Sequence, residues 1–243
     1  MAAPALPNLT PAERMARSEE KRQALLRFLS SGEIWTTSLV AARLWGLSPQ
    51  ATHASLRAMA RDRLIVADKI KTGPRAVTIL WGITPDGIAA CEDAAPTTAE
   101  YQLGRVAGAN IPHAVCLQLA RLKAEAAGWT DWMPGAKLYA KGYPVVPDAI
   151  GARPDGKKVA IEIERNVKSA KRRQEVLSGH VLNIAQNKLY THVLYLCDAR
   201  CRAERLKALY LSLDEMVTPA GRAKFEDAHR ARFNFVNIED FEG

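Results

Sequence analysis

The chain has 243 residues, 48% hydrophobic and 25% charged, a balance that fits a folded globular protein and excludes a disordered or low-complexity one. No apolar run approaches the roughly 20 residues of a membrane span, and residues 1–11 lack the charged start and apolar centre of a secretory signal, so the sequence predicts a soluble cytoplasmic protein without membrane insertion. A formal net charge of +8 favours a polyanionic partner, because protein cations gain by releasing counterions from phosphates, while Cys91, Cys116, Cys197 and Cys201 lack zinc-ligand spacing and read as reduced structural residues.

Residues 1–17 read as a loose arm. Ser18, followed by Glu19 and Glu20, predicts the start of a helix that buries Leu25, Leu26, Phe28 and Leu29 and ends at Gly32. A short helix over residues 37–45 stops at Gly46. Ser48-Pro49 then opens a third, to about Arg63, by setting a capping hydroxyl before a proline at the first helical position. Thr52, Leu56, Met59 and Arg63 share one side of this helix, and Gln50, His53, Arg57 and Arg61 another. A polar, basic outer face is either solvated or turned to DNA, and the helix-turn-helix order suits the second.

Residues 64–71 and 76–83, joined by Thr72-Gly73-Pro74-Arg75, predict a β-hairpin with Lys71 and Arg75 near its tip. This hairpin resembles the wing of a winged-helix domain, and Ile83-Thr84-Pro85-Asp86-Gly87 resembles the start of the helix that often follows a wing. The resemblance implies a winged helix-turn-helix over residues 18–95, with Gln50, His53, Arg57, Arg61, Lys71 and Arg75 against DNA. Residues 94–98 are small and polar and read as a linker.

A second domain is expected over residues 105–243. Residues 111–127 predict a helix with Val115, Leu119, Leu122 and Ala126 inward and Gln118, Arg121 and Glu125 on the other side. Strand candidates follow at 129–133, 137–139, 148–152 and 157–164, then a helix opening at Ser169, a buried strand at 189–197, a helix at 200–210 and a last strand at 233–238. Along 157–164, Val159, Ile161 and Ile163 alternate with Ala160, Glu162 and Glu164, so the apolar side chains take one face and both carboxylates the other. Asp148 heads the preceding strand, and the turn Pro154-Asp155-Gly156 folds the two together. Three gathered carboxylates repel one another unless a cation joins them, and hard oxygen ligands suit Mg²⁺ or Mn²⁺. A solvated face, salt-bridged to Lys157, Arg165 and Lys168, is the other reading.

The order helix, three or four strands, helix, strand, helix, strand resembles the restriction-endonuclease-like core of α/β (α+β) class, known by its PD-(D/E)xK motif. Pro147-Asp148 matches the first two letters, and Glu162, after a spacing of 13 residues, the following acid. Glu164 stands where the motif has lysine; Lys168 or Lys171 could take that lysine's place, and an inactive version of the fold stays open. A winged helix followed by such a domain, carrying PD…EIER…K…KRR with His113 and Gly128-Trp129 before it, resembles the MobC-type plasmid mobilisation relaxases and the related replication-relaxation family.

This resemblance implies an endonuclease that nicks double-stranded plasmid DNA at a transfer origin, with other relaxosome or coupling proteins as partners. Asp148, Glu162 and Glu164 would hold Mg²⁺ or Mn²⁺, Lys168 or Lys171 would offset growing negative charge, and Arg165, Arg172 and Arg173 would grip the DNA backbone. The alternative is a non-catalytic DNA-binding accessory or replication-control protein. His53, His113, His180, His192 and His229 are isolated, against a histidine-hydrophobe-histidine metal site, and His113 reads as a helix-start or packing residue. A covalent tyrosine mechanism through Tyr139, Tyr143 or Tyr190 stays open, though their apolar surroundings suit core positions.

Overall fold

The computed structural model of the chain describes residues 10–95 and 98–243. The first helix starts earlier than Ser18. Pro11 takes its first position, Glu13 N–H donates to the Thr10 hydroxyl, and the Glu13 carboxylate accepts from Thr10 N–H at 2.7 Å. This capping box fixes α1 at Pro11–Phe28. One π-helical turn, Leu29–Glu33, follows, with Gly32 at φ 130°.

Strand β1 (Trp35–Thr37), absent from the sequence reading, leads into α2 (Ser38–Trp45), capped by Thr37 and ended by Gly46 at φ 62°. Helix α3 (Pro49–Arg61) is capped by Ser48, whose hydroxyl accepts Ala51 N–H, and buries Thr52, Leu56 and Met59. Strands β2 (Ile65–Lys71) and β3 (Val77–Ile83) pair antiparallel in the expected hairpin, and β1 pairs with the other edge of β3. Thr84 caps α4 (Pro85–Ala89) by accepting Gly87 N–H while its own hydroxyl donates to the Leu64 carbonyl at 3.0 Å. Gly82 on β3 lies under Tyr101, where a Cβ would stand 2.1 Å from the ring.

The chain divides into two compact units, Met1–Ile111 and Pro112–Gly243. In the second, α5 (Ile111–Ala126) precedes β4 (Thr130–Pro134), β5 (Ala149–Ala152) and β6 (Lys158–Glu164). Then come α6 (Ala170–Ala185), β7 (His192–Cys197), α7 (Ala203–Leu211), the hairpin β8 (Glu215–Thr218) and β9 (Gly221–Lys224), α8 (Asp227–Arg230) and β10 (Phe233–Asn237). The sheet order is β10-β7-β6-β5-β4, antiparallel from β4 to β6 and parallel from β6 through β7 to β10.

Each face of this sheet has its own core. Val159, Ile161 and Ile163 pack with Ala120 and Ala124 of α5, and Ala160 on the opposite face packs with Leu177 and Val181 of α6. The inward stripe of α5 is therefore Ala120 and Ala124, flanked by Cys116 and Leu117, while Gln118 and Arg121 are buried and Ala126 is exposed. The stripe expected through Val115, Leu119, Leu122 and Ala126 gives way to one through Ala120 and Ala124, whose small side chains suit a close approach of helix to sheet. Residues 137–139 form no strand but belong to a 3-10 stretch, Gly135–Lys141. There Gly135 N–H donates to the Asp148 carbonyl, and a Cβ at Gly135 would meet the Pro147 carbonyl at 2.1 Å.

The fold is thus mixed α/β. Among the described residues, no helix is long and apolar enough to cross a membrane.

Candidate functional site

Strand β6 is the middle of the five-stranded sheet, and its register against β5 pairs Ala149 with Ile161. One step further along each strand, Asp148 comes beside Glu162. Asp148 Oδ2 accepts the Ile163 N–H at 2.7 Å, and its Oδ1 lies 3.1 Å from His113 Nε2, at the start of α5. The hydrogen bond to Asp148 holds the His113 pKa above its ordinary value, against burial, and Glu162 adds to the rise.

Glu162 and Glu164 are 7% and 4% exposed, so the solvated-face reading fails: α6 covers the face on which they stand. Glu164 is paired with Lys168. Burial raises the Glu164 pKa, Lys168 opposes that rise, and the charges of Glu162 and Asp148 add to it, as expected for carboxylates crowded together. Glu162 Oε1 lies 3.2 Å from His180 Nε2, within ion-pair distance, yet neither atom has an aligned hydrogen-bond partner.

Lys168 lies in the loop between β6 and α6, and its carbonyl accepts from Arg173 Nη1 at 2.7 Å. Lys171 is exposed in the first turn of α6, and no described contact joins it to the carboxylates. Arg172 is exposed and pairs with Glu175. Arg165 pairs with Asp198 at 3.5 Å and, like Arg173, is only partly exposed. The basic run therefore divides into Arg165 and Arg173, engaged within the fold, and Lys171 and Arg172, turned to solvent.

In the first unit Gln50, Arg57 and Arg61 are exposed and His53 is half-buried on α3, and Gln50, His53 and Arg57 line one shallow groove with Pro49 and Ala54. Lys71 and Arg75 are exposed at the end of β2 and in the following turn. Of the tyrosines, Tyr139 is 73% exposed, and Tyr190 is buried and committed to His180 Nδ1 at 2.6 Å.

His113 and His180 are the residues that sequence reasoning missed. Each reaches its carboxylate across the fold, 35 and 18 positions away respectively, so no local spacing marks them. Among the described residues, no group of three or more His, Cys, Asp or Glu side chains is arranged to hold a metal ion. Asp148, Glu162 and Glu164 each face a different partner, namely His113, His180 and Lys168. The donor chemistry nonetheless fits a hard divalent cation, since three carboxylates neighbour one another. No family model, curated protein or solved structure matches the chain.

Proposed function

We propose that the chain is a DNA-binding protein that nicks a phosphodiester bond with a divalent metal, at a plasmid transfer origin. The observation that carries the reading is the convergence of three carboxylates, the buried Glu162 and Glu164 beside the half-buried Asp148. Asp148 and Glu162, with Glu164, would hold Mg²⁺ or Mn²⁺, which when bound stabilises charge on phosphate oxygens and lowers the pKa of a bound water. His113 donates to Asp148 and fixes its outer oxygen, and Lys168 balances the charge of Glu164.

Two features support a PD-(D/E)xK-like core. The acids stand at the head of β5 and on β6, and β7 joins parallel to β6 after the crossover helix α6. The three helices α1–α3 followed by the β2–β3 hairpin support a winged-helix reader, with Arg57 and Arg61 facing DNA from α3 and Lys71 and Arg75 from the hairpin. The setting in plasmid mobilisation rests on the sequence resemblance alone.

A second reading is favoured by one observation. All three carboxylates already face an intramolecular partner, as in a nuclease-like domain that only grips DNA or protein.

Supercoiled plasmid carrying the origin, incubated with the full chain in Mg²⁺ or Mn²⁺, decides between them. Nicked circles from the wild type, absent with Asp148→Asn and Glu162→Gln while origin binding persists, are the expected result. The same nicked fraction from wild type and both variants overturns the nickase and leaves the accessory protein.

A further inference from the structure

Behind Glu162 runs a chain of buried polar groups whose directions follow from one rule, that each buried hydroxyl hydrogen meets an acceptor. It starts at the Val145 carbonyl, which can only accept, so the atom of Asn183 that lies 2.8 Å from it is the amide nitrogen. The same nitrogen lies 3.0 Å from the Tyr190 hydroxyl and donates to it, and Asn183 Oδ1 accepts from Asn187 at 2.9 Å. With its oxygen accepting from Asn183, the Tyr190 hydroxyl points its hydrogen at His180 Nδ1, 2.6 Å away. Nδ1 is therefore the acceptor, and the ring carries its hydrogen on Nε2. That Nε2 faces Glu162 Oε1 at 3.2 Å, and a small rotation of the carboxylate aligns the two.

Steric features hold this chain in place. His180 is 0% exposed, and its ring meets Tyr190, Tyr195 and Phe233 edge-on at centroid distances of 5.8, 6.2 and 6.2 Å. At Gly179 a Cβ would come within 2.8 Å of the Val145 side chain, so the glycine lets α6 approach near enough for Asn183 to reach the Val145 carbonyl. Four polar side chains in an apolar core are a costly arrangement when a packed hydrophobic one would serve stability as well. Their common terminus is Glu162 Oε1, a buried carboxylate oxygen without an aligned donor.

We propose that His180 is a positioning residue, which through the Val145–Asn183–Tyr190 chain presents an Nε2–H to Glu162 and fixes the carboxylate with its other oxygen free for a divalent cation. The cation part rests on the metal-dependent reading of the site; the hydrogen bond does not. A partner of this kind orients a ligand and tunes its affinity, typically by about 10- to 100-fold.

The full chain is tested in two arms. In the metal-free protein, ¹⁵N-edited spectra should show one imidazole Nε2–H protected from solvent exchange. It should be absent in His180→Phe and displaced in Glu162→Gln. An Nε2–H unaffected by Glu162→Gln overturns the proposal.

In the second arm, Mn²⁺ binding is followed by calorimetry. His180→Phe should weaken it about tenfold or more, with Tyr190→Phe intermediate and His180→Gln, whose amide can still donate, nearest to wild type. If His180→Phe melts at a lower temperature but binds Mn²⁺ as the wild type does, His180 is structural and the proposal fails while the metal site stands. If the wild type binds no divalent ion, the metal-dependent function fails, and the spectra alone decide whether His180 positions Glu162.

Discussion

One oxygen of Asp148 accepts the backbone N–H of Ile163, the residue that separates Glu162 from Glu164. The anchor of the first carboxylate is thus the strand that carries the other two. Asp148→Ala leaves that N–H without its acceptor beside a buried side chain, and we expect a loss of about 1–3 kcal/mol in denaturant unfolding. Asp148→Asn keeps an acceptor and should cost clearly less. Equal losses for both variants would mean that the N–H bond contributes nothing and that charge alone matters.

The close fit of Gly82 beneath Tyr101 gives a purely steric prediction. A methyl group at 82 would stand 2.1 Å from the ring, so either the ring or β3 must move. Gly82→Ala should destabilise by about 1–3 kcal/mol, the usual cost of overpacking. A double variant with Tyr101→Ala should recover part of that loss, and strict additivity of the two losses in unfolding experiments would contradict the contact.

Tyr101 also sets an alkaline limit. Burial, and the hydrogen bond it donates to Asp68 at 2.8 Å, push its phenol well above the ordinary value of 10.0. A folded-state pKa raised in this way contributes stability that is complete below the unfolded value near 10 and is lost as pH climbs toward the folded value. The urea midpoint of wild type should therefore fall more steeply above pH 10 than that of Tyr101→Phe. Parallel profiles would assign the alkaline loss to other groups.

On the DNA side, Arg57→Ala should cost about 1–3 kcal/mol on origin DNA and much less on random DNA, if Arg57 reads a base edge. Lys71→Ala and Arg75→Ala should weaken binding to all sequences and reduce the salt slope by about one unit each. Measured by salt titration of binding, an unchanged slope returns both hairpin cations to solvent.

Local signals were legible wherever a cap, a turn or an alternation specified them. Ser48 and Ser169 cap the helices expected of them, and the β2–β3 and β5–β6 hairpins form around their predicted turns. The start of α1 was missed because Ser18 imitates a cap, while the reciprocal Thr10–Glu13 pair wins by satisfying two backbone donors. Strand β1, three residues long, has too few positions to show alternation and exists only through its pairing with β3. The alternation of β6 correctly separated the glutamates from the isoleucines. It could not tell that the glutamate face would lie under α6, because that depends on where a helix beginning six residues after β6 packs.

The connection between β5 and β6 is short, and this has a kinetic consequence. Their pairing closes a small loop at low entropic cost, whereas β7 joins β6 only after all of α6 and β10 arrives later still. A hairpin that closes before α6 docks would bring Asp148 and Glu162 together before His180 can face Glu162. Their mutual repulsion would then enter the folding barrier as well as the native state. In stopped-flow refolding, Glu162→Gln should raise the folding rate even where it leaves equilibrium stability unchanged or lower, and a slower rate would place hairpin closure after the crossover.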